Sequence, residues 1–253
     1  MQTERAAIVT GGGTGIGRAT ALALARDGHR LVLAGRRPEP LEETRQLVGN
    51  GCVTVAGDIR EPEVVEAVVE RCLSEFGRID VLVNNAGGQF SAPAERITAN
   101  GWRAVRRLNL DAPWHLTQLV ANRWMIPSGG GRVISVVLCP RRGIPGMAHS
   151  SAARAGMSAL TRTLAAEWGR FGIGLVTVAP GWIDTEGIRQ YGDDLADVAA
   201  RIPMRRLGRP EEVGDLIAFL ASPAAAYITG TDIVIDGALE LTSAIDGLAD
   251  HPG

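Results

Sequence analysis

A glycine-rich segment directly after the first predicted strand constrains the fold more than any other feature of this chain. Residues 5–10, RAAIVT, form a short apolar run, and residues 10–17, TGGGTGIG, precede an amphipathic stretch typical of a helix. In strand–turn–helix units of this kind, one glycine allows the tight turn, a second lets the backbone approach a pyrophosphate, and a third lets the helix pack on the strand. Gly11, Gly15 and Gly17 occupy these positions. A helix N-terminus also attracts phosphate, so the segment predicts a dinucleotide-binding α/β fold.

Short β-branched runs alternate with amphipathic stretches along the rest of the chain, which is typical of βαβ units in a parallel sheet. We predict seven strands, at residues 5–10, 30–35, 52–57, 81–87 (with the following loop), 132–137, 174–181 and 232–237. The first long helix is predicted to end near Asp27, and further long helices are predicted at residues 61–77, 98–123, 150–172 and 210–222. Because no linker or repeat interrupts this pattern, we predict one domain over residues 1–253, with a polar, irregular segment at 183–207 and a loose tail at 239–253.

The composition excludes several classes of protein. The chain has 45% hydrophobic residues, 21% charged residues and a formal net charge of −2. It therefore lacks the excess of positive charge that is typical of proteins that bind nucleic acid or an anionic membrane. No apolar run approaches the roughly 18 residues of a membrane span, and the early first strand leaves no room for a signal peptide. Cys52, Cys72 and Cys139 have neither paired nor metal-ligand spacing, and the C-terminus is not a peroxisomal tripeptide. We therefore expect a cytoplasmic protein without a bound metal.

The end of the second predicted strand distinguishes between the two nicotinamide cofactors. An acidic residue there binds the ribose 2′-hydroxyl of NAD, whereas arginine accommodates the 2′-phosphate of NADP. Here Gly35 takes the place of the acid and is followed by Arg36 and Arg37, whose planar guanidinium groups suit a phosphate. The chain contains no lysine, and its 26 lysine-plus-arginine residues are all arginine. In such an arginine-rich chain, the alternative to a phosphate site is that Arg36 and Arg37 are solvated surface residues. The missing acid favours NADP(H).

Several motifs in fixed order resemble the short-chain dehydrogenase/reductase family. TGGGTGIG, NNAG, LNL, APGW and ITGTDIVIDG follow one another between about Arg5 and Gly237. The resemblance implies a Rossmann-like, doubly wound, seven-stranded parallel sheet with helices on both faces, and a homotetramer formed through the two long helices. It also implies that Asn109 kinks its helix and holds a water. The implied cofactor-binding residues are Thr10, Gly11, Gly15, Ile16, Gly17, Arg36, Arg37, Asp58, Ile59, Asn85, Ala86, Gly87, Arg154, Pro180, Gly181, Ile183 and Thr185.

The active-site positions of the family are altered in this chain. Typical members have a serine after the fifth strand and Tyr-x-x-x-Lys on the next helix, a spacing that places both side chains on one helix face. The segment ARAG sets the register, so Arg154 takes the lysine position and Ser150 the tyrosine position, while Val137 or Leu138 replaces the serine. Arg154 stays protonated and is no proton relay, but it can hold the ribose. Ser150 is a poor acid and a competent hydrogen-bond donor.

A reaction that needs no protonation of an alkoxide tolerates these changes. When hydride adds to the β-carbon of an α,β-unsaturated thioester, charge collects on an enolate oxygen, which requires preorganised donors rather than a strong acid. NNAGGQFSAPAERI, HSSAARAG and AFLASPAAAYITG are similar to the peroxisomal-type trans-2-enoyl-CoA reductases, a branch of the family that uses NADPH. We therefore expect an NADPH-dependent reductase of 2-enoyl thioesters. The alternatives are a carbonyl reductase or alcohol dehydrogenase with an atypical site, and a non-catalytic nucleotide-binding subunit.

The proton donor stays open at this point. His115 occupies the place of a tyrosine assigned to that branch and is either an acid or a packed interface residue. His149 precedes the predicted helix and is either a capping residue or an acid, and Tyr191 belongs to the segment expected to cover the substrate. Arginines at 141–142 and 205–206 either attract CoA phosphates or form a solvated face. The predicted catalytic set is Ser150, Arg154, Asn109 and Tyr191.

Overall fold

Seven parallel strands form one twisted sheet at the centre of the protein. The computed structural model describes residues 4–138, 143–189 and 195–244. The strand order is β3-β2-β1-β4-β5-β6-β7, and every pairing is parallel. The strands are β1 Arg5–Thr10, β2 His29–Gly35, β3 Cys52–Ala56, β4 Val81–Asn84, β5 Gly131–Val136, β6 Ile173–Pro180 and β7 Thr231–Ile235. The predicted seven-stranded parallel sheet is confirmed, with boundaries that agree to within one to three residues.

Helices cover both faces of this sheet, as the doubly wound prediction requires. They are α1 Gly15–Arg26, α2 Pro38–Val48, α3 Pro62–Phe76, α4 Ala99–Arg106, α5 Ala112–Val120, α6 Ile126–Ser128, α7 Ala148–Trp168, α8 Glu186–Arg189, α9 Leu195–Arg201 and α10 Pro210–Ala221. Alternate residues of β1 point to opposite faces. Ala7 and Val9 pack in a core with α1 and α10, whereas Ala6 and Ile8 pack in a second core with α3, α5 and α7.

The helix predicted at 98–123 extends from Ala99 to Ser128 and contains two wide turns. Helices α4, α5 and α6 are joined by π-helical segments at Arg107–Asp111 and Ala121–Met125. Asn109 lies in the first segment and is buried, and its Nδ2 donates to the carbonyl of Val105 at 2.9 Å. This side-chain hydrogen bond to a carbonyl one turn back occurs where the helix departs from α-helical geometry. A distorted helix at Asn109 is what the family resemblance implied.

Two predicted boundaries are wrong. Helix α7 begins at Ala148, so His149 belongs to its first turn instead of preceding it. The first residues of the expected loose tail, Leu239–Ala244, form a 3-10 helix. The carboxylate of Asp236 organises this turn because it accepts the N–H groups of Ala238 at 2.8 Å and Glu240 at 2.7 Å.

The 183–207 segment contains the two short helices α8 and α9, in agreement with its weak helical pattern. Tyr191, Cys139 and the arginines at 141–142 lie outside the described residues. Within the described part of the chain, none of the helices has both the length and the apolar character needed to cross a membrane.

Candidate cofactor cleft and active site

A cavity of about 540 Å³ opens at the carboxyl ends of the strands. It lies next to β1 and β4, where the strand order reverses, which is the usual ligand site of an open parallel sheet. Its lining includes every predicted cofactor-binding residue except Thr10: Gly11, Gly15, Ile16, Gly17, Arg36, Arg37, Asp58, Ile59, Asn85, Ala86, Gly87, Arg154, Pro180, Gly181, Ile183 and Thr185. The fold thus brings together residues from five loops at strand ends and from helix α7, which are far apart in sequence.

The glycine-rich turn is packed too tightly for side chains. Gly11 has a φ of 66°, and its N–H donates to the carbonyl of Ala34 at 2.7 Å. A Cβ on Gly17 would lie 2.0 Å from the carbonyl oxygen of Gly11, so the first turn of α1 rests directly on the loop. The Thr14 side chain does not cap α1, which leaves the first-turn N–H groups available to a ligand. This geometry fits a pyrophosphate.

Thr10 lies behind the cavity and ties two loops together. Its buried hydroxyl accepts the N–H groups of Asn85 and Ala86, each at 3.0 Å. The Asn85 side chain in turn donates to the carbonyl of Thr10 at 2.9 Å. The loop after β4 is therefore fixed against the end of β1, and both residues position the cavity wall.

Arg36 and Arg37 are exposed at the cavity edge beyond β2. Neither has an ion-pair partner in the part of the chain that the structure describes, although most arginines there do. Arg45 on the adjoining helix α2, for example, binds Glu42 at 2.6 Å. Two unpaired guanidinium groups at this edge leave a positive site for an anion.

Asp58 contributes a carboxylate to the same wall, but its charge is already paired. Arg60 Nε donates to both carboxylate oxygens at 3.0 Å. These hydrogen bonds hold the pKa of Asp58 below its usual range, with a smaller contribution from the charge of Arg36. The carboxylate stays ionised, and Arg60 offsets its repulsion of a nearby phosphate.

Arg154 on α7 faces the cleft and is held by the ends of two strands. Its Nη1 donates to the carbonyl of Val136 at 2.9 Å, and its Nη2 contacts Gln89 Oε1 at 3.4 Å. A Cβ on Gly87 would lie 2.5 Å from Arg154 Nη2, so this glycine leaves room for the guanidinium. The sequence did not predict that Gln89 and Val136 contact Arg154. The one signal available for Gln89 was its place in the NNAGGQF segment, and Val136 had none.

The remaining predicted active-site residues differ in how they relate to the cleft. Ser150 is fully buried on α7 and does not line the cavity, and its Oγ has no hydrogen-bond partner among the described residues. Val137 and Leu138, one of which the resemblance aligns with the family's serine, both line the cavity with apolar side chains. Asn109 binds both the carbonyl of Gly88 at 2.7 Å and its N–H at 3.2 Å. His115 is exposed on α5 and is absent from the lining of this cavity.

Comparison with known proteins identifies the family. A family model described as Enoyl-(Acyl carrier protein) reductase matches residues 11–239. The chain belongs to the short-chain dehydrogenase/reductase family. Members of this family are oxidoreductases that bind a nicotinamide cofactor in a Rossmann fold.

Its relatives include two proteins named as reductases of conjugated acyl thioesters. A peroxisomal 2,4-dienoyl-CoA reductase of Danio rerio is 36% identical over 97% of this chain and 85% of the relative. A probable 2,4-dienoyl-CoA reductase of Bacillus subtilis (strain 168) is 37% identical over 92% of this chain and 96% of the relative. Among solved structures, the citronellol catabolism dehydrogenase of Pseudomonas aeruginosa PAO1 is 42% identical with a TM-score of 0.83, over 93% of this chain and 94% of that one.

Proposed function

We propose that this enzyme reduces the conjugated C=C bond of a 2-enoyl thioester with NADPH. The proposal is carried by the burial of the Ser150 hydroxyl and by the apolar Val137 and Leu138 in the cavity lining, at positions where the family resemblance predicts the proton-donating residues. Protonation of an alkoxide needs an acid that these residues do not supply, whereas stabilisation of an enolate needs a donor. The names of the two dienoyl-CoA reductase relatives support the same substrate class.

The cleft fits NADPH by its backbone and its charges. The first-turn N–H groups of α1 would bind the pyrophosphate, and Arg36 and Arg37 would bind the 2′-phosphate. Arg154 would hold the ribose hydroxyls from its position beside Val136. When bound, the cofactor supplies a hydride to the substrate.

The protein's own residues then have limited roles. The Ser150 hydroxyl would donate a hydrogen bond to the thioester oxygen, where negative charge accumulates. Arg154 adds a fixed positive charge and orients the cofactor, but transfers no proton because its guanidinium stays protonated. The α-carbon would receive its proton from water.

Oxidation of NADPH in the presence of unsaturated acyl-CoA esters is the direct test. We expect turnover with crotonyl-CoA, 2-decenoyl-CoA or 2,4-decadienoyl-CoA, with mass spectrometry showing a gain of two hydrogens in the product. Absence of turnover across these chain lengths would refute the proposal. NADPH binding without reduction of any thioester or ketone would instead indicate a non-catalytic nucleotide-binding subunit.

Titration of the cofactor tests the choice of NADPH. Arg36→Ala and Arg37→Ala should each weaken NADPH binding roughly tenfold and leave NADH binding unchanged, because one charged hydrogen-bonded contact to phosphate is lost. Arg45→Ala on the neighbouring helix is the matched control, since its guanidinium is already paired with Glu42. Tighter binding of NADH than NADPH by the unmodified enzyme would overturn this part of the proposal.

Alcohol oxidation or carbonyl reduction is the second candidate, supported by the 42% identical citronellol catabolism dehydrogenase. Activity on citronellol, ketones or 3-oxoacyl thioesters without activity on enoyl thioesters would select it. The homotetramer and the cytoplasmic location also stay predictions, which light scattering of the purified enzyme and fractionation of cells would test.

A further inference from the structure

Two consecutive residues at the start of α7 each bury a polar side-chain atom that has no hydrogen-bond partner among the described residues. His149 is 1% exposed and Ser150 is 0% exposed. Within the described residues, neither His149 Nε2 nor Ser150 Oγ has a hydrogen-bond partner. Buried polar groups are nearly always satisfied in folded proteins, so a pair of unsatisfied ones marks a place where a ligand atom or a water belongs.

A hydrogen bond within the first turn of α7 fixes the tautomer of His149. The backbone N–H of Ser150 donates to His149 Nδ1 at 2.8 Å. An accepting Nδ1 carries no proton, so the neutral ring carries its proton on Nε2. The unpartnered atom of His149 is therefore a hydrogen-bond donor, as the Ser150 hydroxyl is.

The surroundings of His149 connect it with the cleft. Phe90 packs edge to face against the imidazole, with ring centroids 4.3 Å apart and an interplanar angle of 88°. Gln89, the residue before Phe90, lines the cavity and contacts Arg154. Phe90 is 40% exposed, so it separates the buried imidazole of His149 from solvent on one side.

We propose that His149 is a second donor to the substrate, whose Nε2–H binds the thioester oxygen together with the Ser150 hydroxyl. Movement of the Phe90 ring opens the site to the thioester. The proposal rests on the proposed function, since it assigns the group that stabilises the enolate of that reaction. Two hydrogen-bond donors on one oxygen take the place of the tyrosine hydroxyl of a ketone reductase.

Two substitutions separate a donor from a helix cap. In His149→Asn the shorter amide can accept the Ser150 N–H through its oxygen but cannot reach the position of Nε2. In His149→Gln the longer amide can place an N–H near the position of Nε2. We expect His149→Asn to lower kcat/KM for the unsaturated thioester roughly 10- to 100-fold, with NADPH affinity and thermal midpoint unchanged, and His149→Gln to restore part of it.

Wild-type kcat/KM in His149→Asn would overturn the proposal and leave His149 as a cap. If neither variant folds, selective ¹⁵N labelling of the four histidines gives a second measurement on the intact enzyme. Addition of NADP⁺ and a saturated acyl-CoA should shift the Nε2 signal of a neutral histidine, and no shift in any histidine would equally overturn the proposal. A wild-type enzyme that reduces no unsaturated thioester would refute the proposed function itself, whereas turnover with an unaffected His149→Asn variant would refute this inference alone.

Discussion

The glycine-rich turn at residues 10–18 lines the cleft, and the start of α7 at residues 148–154 reaches the same cleft through Arg154, but the two regions are built differently. In the turn, the carbonyl oxygens of three loop residues are held by side chains from elsewhere in the chain. The pairs are Thr10 with Asn85 at 2.9 Å, Gly11 with Asn85 at 3.3 Å, and Gly13 with Arg18 at 3.0 Å. At the start of α7, His149 Nε2 and Ser150 Oγ are buried with no partner among the described residues.

The difference shows how the two ends of the cleft divide their tasks. A turn in which several carbonyls are fixed by side chains is rigid and presents its N–H groups in one geometry, which suits an invariant cofactor. Unsatisfied buried donors lower the stability of the empty site, and a ligand oxygen recovers that loss. We therefore expect substitutions in the turn to damage the fold and cofactor binding, and substitutions at the start of α7 to damage turnover.

Gly17→Ala should have the largest effect. Its Cβ would lie 2.0 Å from the Gly11 carbonyl, and backbone cannot move aside as a flexible side chain can. We expect a loss of about 3 kcal/mol or more in the free energy of unfolding, together with loss of NADPH binding. Urea denaturation and fluorescence titration measure both. Gly169→Ala is the control, since nothing lies within 4 Å of the added carbon, and it should change stability by less than about 0.5 kcal/mol. A stable Gly17→Ala enzyme would contradict the rigid-turn interpretation.

Arg154→Ala should have the next largest effect because Arg154 is the residue at the start of α7 that lines the cleft. Its loss removes the bond to the Val136 carbonyl and the cation at the nicotinamide end. We expect NADPH affinity to fall roughly tenfold or more, measured by calorimetry. Arg162→Ala on the same helix removes only an exposed pair with Asp232 and should leave affinity unchanged. Equal effects of the two substitutions would show that Arg154 has no special role.

Ser150→Ala should affect turnover alone. We expect kcat/KM for the unsaturated thioester to fall roughly tenfold, because one donor to the enolate oxygen is lost. The free energy of unfolding should stay the same or rise, since the hydroxyl is buried without a partner. Ser158→Ala, at a buried position two turns further along α7, should leave kcat/KM unchanged. Loss of stability in Ser150→Ala with unchanged turnover would reverse the contrast between the two regions.

The smallest expected effect is on the pH dependence of stability, through His29 in β2. Burial lowers the pKa of His29 in β2, whose Nδ1 binds the Leu24 carbonyl at 3.1 Å. Below its ordinary pKa of about 6.5 the unfolded chain takes up a proton before the folded protein does, so stability falls as the pH decreases. Urea midpoints at pH 7.5 and 5.5 should show this decline, and His29→Asn should reduce it. An unchanged pH dependence in the variant would exclude His29 as its source.

Much of the fold was predictable because its signals are local. The apolar run before TGGGTGIG, the β-branched runs and the helix-initiating prolines at 62 and 210 depend on neighbouring residues, and the strands and longer helices followed from them. The start of α7 was less predictable. No local capping residue marks it, since Met147 offers no side-chain cap, and His149 was misplaced outside the helix.

The sequence by itself determined the parallel α/β fold and the glycine turn, and it predicts that Ser150 and Arg154 take the family's tyrosine and lysine positions. These features depend on residue type and short spacings. Only the tertiary structure decided which arginines at the cleft lack an acidic partner, that Gln89 and Val136 hold Arg154, and that His149 and Ser150 are buried with unsatisfied donors. Pairing and burial depend on segments far apart in the chain, and no local pattern specifies which of them meet.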